Sequence, residues 1–518
     1  MKRPSSARIS QYLFLALFLV LFVQTEYRGS DEIPVAVNSF FRADPLVGVS
    51  ALLAAKGWSW LVFPGLLLLF LSLLLGRFFC GWICPLGTVL DLLSPRIAKT
   101  APLRLLKGGL KYWLLGLLLA SALAGSNLSG LLDPLAILLR GLTFALYPLL
   151  GESARQGWVG LFRLMGDSRD ALAPAYGLLR DYLLPFRTTM YPLALGSLLL
   201  LAGVIGLERF ERRNWCRNLC PLGTLLGLVG RFSLFRRVPL RVCADCSRCR
   251  ELCPTSFDRD ILQQEECILC LDCQLHCPNG RVRFRPVRPQ RPADGFVPAR
   301  RVFLGGIVSG LALGRLARFR APDARTRLLR PPGVQDEDAF LEKCVRCGEC
   351  LKVCLRSALY PAVGQAGLEG LYTPVLIPRL GYCEYNCTLC GQVCPTGAIP
   401  RLPREEKQRQ VIGKAVFDKN HCLPLARAVD CMVCEEHCPI PGKAIRSRRV
   451  TEADPAGRMA SFSKPYVVPE LCNGCGICEN VCPLEGKAGI EVFAVKDHTP
   501  ITATAAAPDV PVSDDPYR

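Results

Sequence analysis

The chain has 518 residues, with 63 Lys and Arg against 44 Asp and Glu, a formal net charge of +19, and half its residues hydrophobic. A mean hydropathy of +0.26 alongside that charge requires apolar and basic runs to be segregated along the chain, as they are in membrane proteins. The basic surplus gathers beside the apolar segments, so membrane orientation accounts for it better than nucleic-acid binding. No histidine precedes His276, which excludes a bis-histidine haem in the first half, and no C-x-x-C-H occurs for a c-type haem.

In chain order, residues 10–25, 58–76, 109–125 and 190–207 each approach the ~20 apolar residues that cross a bilayer core. A fifth candidate, 131–150, is interrupted by Asp133, Pro134, Arg140 and Pro148 and reads as interfacial or re-entrant. Lys2, Arg3 and Arg8 at the start, and Arg96, Lys99, Arg104, Lys107 and Lys111 after the second helix, place the N-terminus in the cytoplasm. Four crossings return the chain there, and residues 208–301 then hold 18 Arg and no Lys. An internal repeat organises this half. D-P-L recurs at Asp44–Leu46 and Asp133–Leu135, and C-x-x-x-C-P-L-G-T at Cys80–Thr88 and Cys216–Thr224, with Arg77, Arg213 and Arg217 flanking the cysteines. Two parallel helix hairpins would put both cysteine motifs on the cytoplasmic face. The Asp-Pro turns are either helix starts or elements of a quinone site. Cys80, Cys84, Cys216 and Cys220 are open to three readings: buried structural thiols, one metal or redox site of four thiolates, or a redox disulfide within each motif.

The other 24 cysteines fall into six groups of four. Cys243-x2-Cys246-x2-Cys249-x3-Cys253-Pro254 and Cys267-x2-Cys270-x2-Cys273-x3-Cys277-Pro278 form the bacterial ferredoxin run, in which each fourth cysteine ligates the other cluster. A tight C-x2-C-x2-C loop lets three thiolates wrap one corner of a cube, while x3 and the following Pro lead the fourth thiolate to its neighbour. The crossing rule predicts [4Fe–4S] clusters on Cys243/Cys246/Cys249/Cys277 and on Cys267/Cys270/Cys273/Cys253. It also predicts clusters on Cys344/Cys347/Cys350/Cys394, Cys383/Cys387/Cys390/Cys354, Cys422/Cys431/Cys434/Cys482 and Cys472/Cys475/Cys478/Cys438. Three departures from the plain run are the x3 gap before Cys387, the x8 gap before Cys431 and the lack of Pro after Cys354. Zinc sites use separated C-x2-C pairs rather than triplets ending in x3-C-P, so iron–sulfur is the reading the spacing favours.

Between the two cysteine-rich regions, 281–298 is a Pro/Arg-rich linker. Arg300-Arg301-Val302-Phe303-Leu304 then has two readings: two more arginines of that linker, or a twin-arginine export signal, a receptor-read address for a route that carries folded domains. Clusters assembled in the cytoplasm require such a route. The uncharged part, Val302–Gly314, is 13 residues, roughly 20 Å of helix. That is short for a permanent span and leaves cleavage after export open.

Residues 1–280, with two C-x-x-x-C-P motifs and a twin ferredoxin run, resemble the NapH/MauN-type membrane ferredoxins. Residues 299–490, with R-R-V-F-L and four cluster motifs, are similar to the NapG/MauM-type periplasmic polyferredoxins. The chain resembles the two joined head to tail. The resemblance implies a 4Fe-4S quinol dehydrogenase-like role, with electrons passing from the quinol pool to a periplasmic oxidoreductase, of which periplasmic nitrate reductase is the best-known acceptor. The alternatives are a maturation or reductive-activation factor for a metalloenzyme, and a polyferredoxin facing the cytoplasm throughout. Whether the chain is an enzyme in its own right stays open, since no nucleotide, flavin or triad motif is visible.

The expected fold is a membrane α-helical bundle of about four transmembrane helices plus a candidate fifth, carrying α+β ferredoxin-like two-cluster domains. Its expected divisions are a membrane domain (1–235), a cytoplasmic two-cluster domain (236–285), a linker with the twin-arginine segment (286–320), a four-cluster periplasmic domain (321–498) and a disordered tail (499–518). Expected cofactors are six [4Fe–4S] clusters, a quinol or quinone, and a further metal centre at the C-x-x-x-C-P motifs. Expected partners are the quinol pool, membrane lipid and a periplasmic redox protein, with no nucleic acid, at the bacterial inner membrane.

Overall fold

The structure, a computed structural model, describes residues 6–97, 109–165, 173–239, 249, 252–255, 264–277, 280, 282–287, 297–317, 328–453, 456–495, 498 and 500–501. Cys243, Cys246 and nearly all of the tail lie outside the described residues. The chain divides into two units. The first comprises Met1–Arg28, Pro34–Phe319 and Leu341–Gly348; the second comprises Gly29–Ile33, Arg320–Phe340 and Glu349–Arg518.

The repeated D-P-L and C-P-L-G-T motifs are helix starts in the first unit. Asp44 caps α2 (Pro45–Ala55), its Oδ1 accepting from Leu46 N at 2.7 Å and Val47 N at 3.2 Å. α1 is the preceding Ser6–Gln24. After α3 (Phe63–Leu75), Cys84 stands at the N-cap of α4 (Pro85–Leu93). Following α5 (Leu110–Leu123), Asp133 caps α6 (Pro134–Met165), accepting from Ala136 N at 2.9 Å. After α7 (Ala194–Gly206), Cys220 caps α8 (Pro221–Gly230), and Gly223 N donates to its Sγ at 3.3 Å. In all four starts Pro occupies the first turn, where its missing N–H costs nothing and its fixed φ suits the helix.

Among the described residues two helices, α1 and α6, are by length and composition long and apolar enough to cross a membrane, with 19 and 32 residues. The segments expected to span at 109–125 and 190–207 form helices of only 14 and 13 residues. Left-handed glycines, Gly109 (φ 82) and Gly125 (φ 86), bracket α5, and Gly76 (φ 69) ends α3. The 131–150 stretch, expected to be interfacial or re-entrant and counted as the candidate fifth span, opens the continuous helix α6. A π-turn at Leu142–Leu146, closed by Tyr147 N donating to the Leu142 carbonyl, precedes Pro148, which has no N–H to give.

Strands β1 (Phe235–Pro239) and β2 (Val282–Pro286) pair antiparallel around the N-terminal ferredoxin run. Helix α9 (Val297–Ala317) completes the main run of the first unit. Among the described residues the second unit is α+β, with short helices and three two-stranded antiparallel sheets. These pair β3 (Leu359–Pro361) with β4 (Pro374–Leu376), β5 (Lys414–Phe417) with β8 (Ile490–Phe493), and β6 (Ile445–Ala453) with β7 (Met459–Val467). The β5–β8 pair closes the chain around the last two cysteine runs, as a ferredoxin sheet does.

Candidate metal centres

In the second unit, twelve of the predicted ligands line three cavities. Cys422, Cys431, Cys434 and Cys482 surround one of about 360 Å³. Cys354, Cys383, Cys387 and Cys390 surround one of about 400 Å³. Cys438, Cys472, Cys475 and Cys478 surround one of about 300 Å³. Each set takes three cysteines from one run and one from its partner run, and the remaining walls are largely apolar. Cys344, Cys347 and Cys350 are buried and Cys394 half-buried. Among the described residues no three Cys, His, Asp or Glu side chains converge on the position of a single metal ion. Each of the three cavities presents four cysteines, the ligand number of one [4Fe–4S] cluster.

Backbone conformation explains how the loops wrap. In each described C-x2-C-x2-C loop the residues on both sides of the middle cysteine have positive φ: Leu269 and Leu271, Arg346 and Gly348, Gly474 and Gly476. Such left-handed turns point successive N–H groups into a concavity that favours an anion, here a thiolate-bound cluster. Amides also reach the outlying sulfurs: Ala358 N donates to Cys354 Sγ at 3.2 Å, Ile399 N to Cys394 Sγ and Gly489 N to Cys482 Sγ, both at 3.3 Å. Without metal, burial pushes the Cys387, Cys434 and Cys475 thiols up to about 12 and Cys422 to about 11. Bare thiols there stay protonated at neutral pH, and bound iron supplies the charge that ionises them.

Two basic residues that sequence reasoning missed stand at these sites. Lys407 is buried, donates to the Tyr385 carbonyl at 3.0 Å, and sits against Cys383, Cys387 and Cys390; burial by itself lowers its pKa, and ionised sulfurs at those positions outweigh that and raise it. Nothing in its polar surroundings, Arg404–Arg409, distinguishes it from a surface lysine. In the first unit Arg237, on β1, stands against Cys249 and Cys273. A cavity of about 400 Å³ there is lined by Cys249, Cys253, Cys267, Cys270 and Cys273, with Arg237 and Phe284. Cys277 is described but does not line it.

The four C-x-x-x-C-P thiols are all buried in one core cluster. Two buried arginines cross between the repeats. Arg77, from the first, donates Nη2 to the Cys216 carbonyl at 3.1 Å, and Arg213, from the second, donates Nη1 to the Cys80 carbonyl at 2.7 Å. Each is balanced by a carboxylate, Arg77 by Glu266 at 2.8 Å and Arg213 by Asp91 at 2.7 Å. The glycine of each C-P-L-G-T makes room for the opposite arginine. A Cβ on Gly223 would stand 2.6 Å from Arg77 Nη2, and one on Gly87 3.3 Å from Arg213 Nη2.

The two ends of the repeat hold different cysteine loops. At the C-P end, Gly81 lies flat against the backbone of Ile268, and Trp82 Nε1 donates to the Leu269 carbonyl at 3.0 Å. At the D-P end, Gly130 lies against the backbone of Val345, Asn127 donates to the Glu342 carbonyl at 3.2 Å, and buried Arg140 donates to the Arg346 carbonyl at 3.2 Å. Asp44 and Asp133, both fully buried, lie against each other there. Among the described residues the second oxygen of each carboxyl receives no donor from the rest of the protein.

These quartets, their left-handed loops and the paired strands define a 4Fe-4S ferredoxin-type protein. Family models agree: a 4Fe-4S binding domain matches residues 57–104 and 192–239, a 4Fe-4S dicluster domain 259–355, and a further 4Fe-4S binding domain 465–485. The chain is 35% identical over 197 residues to ferredoxin-type protein NapG of Escherichia coli, covering 36% of this chain and 80% of that protein. It is 34% identical over 164 residues to methylamine utilization ferredoxin-type protein MauM of Methylorubrum extorquens, covering 30% and 72%. Ferredoxin-type protein NapH of Haemophilus influenzae is 28% identical over 306 residues, covering 54% and 87%. No solved structure matches. The chain belongs to the NapG/MauM ferredoxin-type family and is also NapH/MauN-like, an iron–sulfur electron-transfer polyferredoxin related to both.

Proposed function

We propose that this protein is a membrane-anchored conduit carrying electrons from the quinol pool, through six [4Fe–4S] clusters on the quartets given by the crossing rule, to a redox partner on the periplasmic face. The observation that carries the reading is the two-ended first unit. One end of the repeat docks the Cys267–Cys273 loop and the other docks Leu341–Gly348 with Cys344 and Cys347. A bundle that grips cysteine loops at opposite ends is built to join two sets of clusters. The membrane part of the reading is supported by outward-facing Leu13, Leu17 and Val20 on α1, Leu67, Phe70 and Leu74 on α3, and Leu195 and Leu199 on α7. Such a belt is costly in water and satisfied in lipid.

Cys80, Cys84, Cys216 and Cys220, with Arg77 and Arg213 beside them, form one further redox-active thiolate centre at the cytoplasmic edge, next to the Cys267 loop. The two arginines offset part of the charge that four thiolates bring into a buried site. Bound clusters supply one-electron transfer; the protein's own groups wrap them, exclude water and set their potentials. Asp44 and Asp133 form the group that takes up a quinol proton. The test is addition of reduced quinol to membranes holding the full chain. Rapid appearance of the paramagnetic reduced-cluster signal supports the reading. Clusters that dithionite reduces but quinol does not would overturn it in favour of a maturation role.

A further inference from the structure

Arg300 and Arg301 lie in the early part of α9, a 21-residue helix. By composition alone α9 does not qualify as a span, because its short apolar run is flanked by arginines. Its packing says more. Gly306, Gly310 and Gly314, spaced four apart, are the buried positions along its central run, and all three face α5. A Cβ at Gly306 or Gly310 would overlap the carbonyl oxygen of Trp113 or Leu117. One at Gly314 would stand 2.8 Å from Ala124 Cβ. The fit is mutual, since a Cβ on Gly116 of α5 would come 2.7 Å from the Phe303 carbonyl oxygen. The register advances in step, with Val302 beside Gly109, Gly306 beside Trp113, Gly310 beside Leu117 and Gly314 beside Ser121, so the two helices run parallel. The opposite face of α9 presents Leu304, Val308 and Leu311, exposed and apolar.

We propose that the twin-arginine segment is a permanent membrane helix, kept in the mature protein and paired in parallel with α5 through its three glycines. Small residues four apart let helix backbones touch, which is how helices associate in lipid, where no hydrophobic force draws them together. Such tight packing is of no use to a segment that is to be cut away. The charges fit as well. Arg300 and Arg301 near one end and Arg315 near the other can reach the interfaces, and the uncharged centre matches the short α5 beside it. Running parallel to α5, α9 leads from the end of the unit that holds the Cys267 loop toward the end that holds Leu341–Gly348. The inference rests on the membrane reading above.

The test uses the full chain with different epitope tags at its two termini, in a bacterium with a twin-arginine route. Carbonate-washed membranes are expected to hold both tags on one 57.0 kDa polypeptide. A C-terminal tag on a shorter soluble fragment, with the N-terminal tag still in the membrane, overturns the inference while leaving the membrane reading standing; a full-length chain absent from membranes overturns both. A photo-reactive benzophenone side chain replacing Trp113 is expected to cross-link to a peptide within 300–317, and a cross-link elsewhere or none overturns the pairing. Gly306→Leu with Gly310→Leu is expected to lower membrane-held full-length protein several-fold, whereas Val308→Leu leaves it unchanged; equal yields from both overturn the glycine contact.

Discussion

At the scale of single residues, the glycines and cations around the thiols do as much as the thiols themselves. Gly474 has φ 73, and a Cβ there would overlap the backbone of Gly413, so Gly474→Ala has no easy accommodation. The variant is expected to lose the Cys472/Cys475/Cys478/Cys438 cluster, seen as about four irons fewer per chain; an unchanged iron content would refute this. Lys407 places a buried positive charge beside three sulfurs, which favours the more negative, reduced cluster. Lys407→Met is expected to lower one midpoint potential by on the order of tens of mV, measured by redox titration of the paramagnetic signal. No shift would mean that the lysine only braces the Glu384–Tyr385 turn.

The buried thiols also fix a pH dependence for the cluster-free protein. An unfolded cysteine titrates near about 8.5, whereas Cys387, Cys434 and Cys475 are raised to about 12 and Cys422 to about 11 in the folded chain. Folding thus favours the neutral thiols, and their contribution is fully present below the unfolded value and lost as pH rises through the folded ones. Denaturant midpoints of the iron-free protein are expected to fall between about pH 8.5 and 12. A rise across that window would contradict the burial of these groups as protonated thiols.

At the scale of elements, the repeat is where sequence and structure agree best and also where the sequence runs out. D-P-L and C-P-L-G-T were legible as repeated punctuation, because Pro after a capping residue is a local signal. That Arg77 serves the second motif and Arg213 the first was not legible, since the exchange depends on how the two hairpins face each other. The glycines carried a signal in hindsight: each C-P-L-G-T repeats a Gly that propensity alone does not require. The two copies differ in tightness, 2.6 Å at Gly223 and 3.3 Å at Gly87. Gly223→Ala is therefore expected to destabilise the protein by about 1–3 kcal/mol, and Gly87→Ala by clearly less, compared by thermal unfolding in detergent. Equal losses would mean that Arg77 moves aside freely. Helix lengths were less legible: the apolar runs at 109–125 and 190–207 are longer than the helices they form, because glycines and turns trim the ends. At 131–150, the prolines and Arg140 suggested an interruption, which a π-turn and two carbonyl partners for the arginine resolve.

At the scale of the whole molecule, the cysteine spacing carried the candidate sites, and three cavities in the second unit gather the same quartets that spacing and the crossing rule name. The grip of the first unit on Leu341–Gly348 could not be read from sequence. It depends on Gly130 lying flat against Val345 and on Arg140 reaching a backbone carbonyl, and neither contact leaves a pattern in composition or periodicity. Within the first unit, two cysteine-bearing segments, the Cys267–Cys273 loop and Leu341–Gly348, are held at opposite ends of one helical repeat.

Parallel iron, acid-labile sulfide and zinc analysis of the full chain purified anaerobically bears most directly on all of this. About two dozen irons with matching sulfide per polypeptide, and zinc near background, is the predicted result. A preparation rich in zinc, or with iron for only one or two cubes, would contradict it.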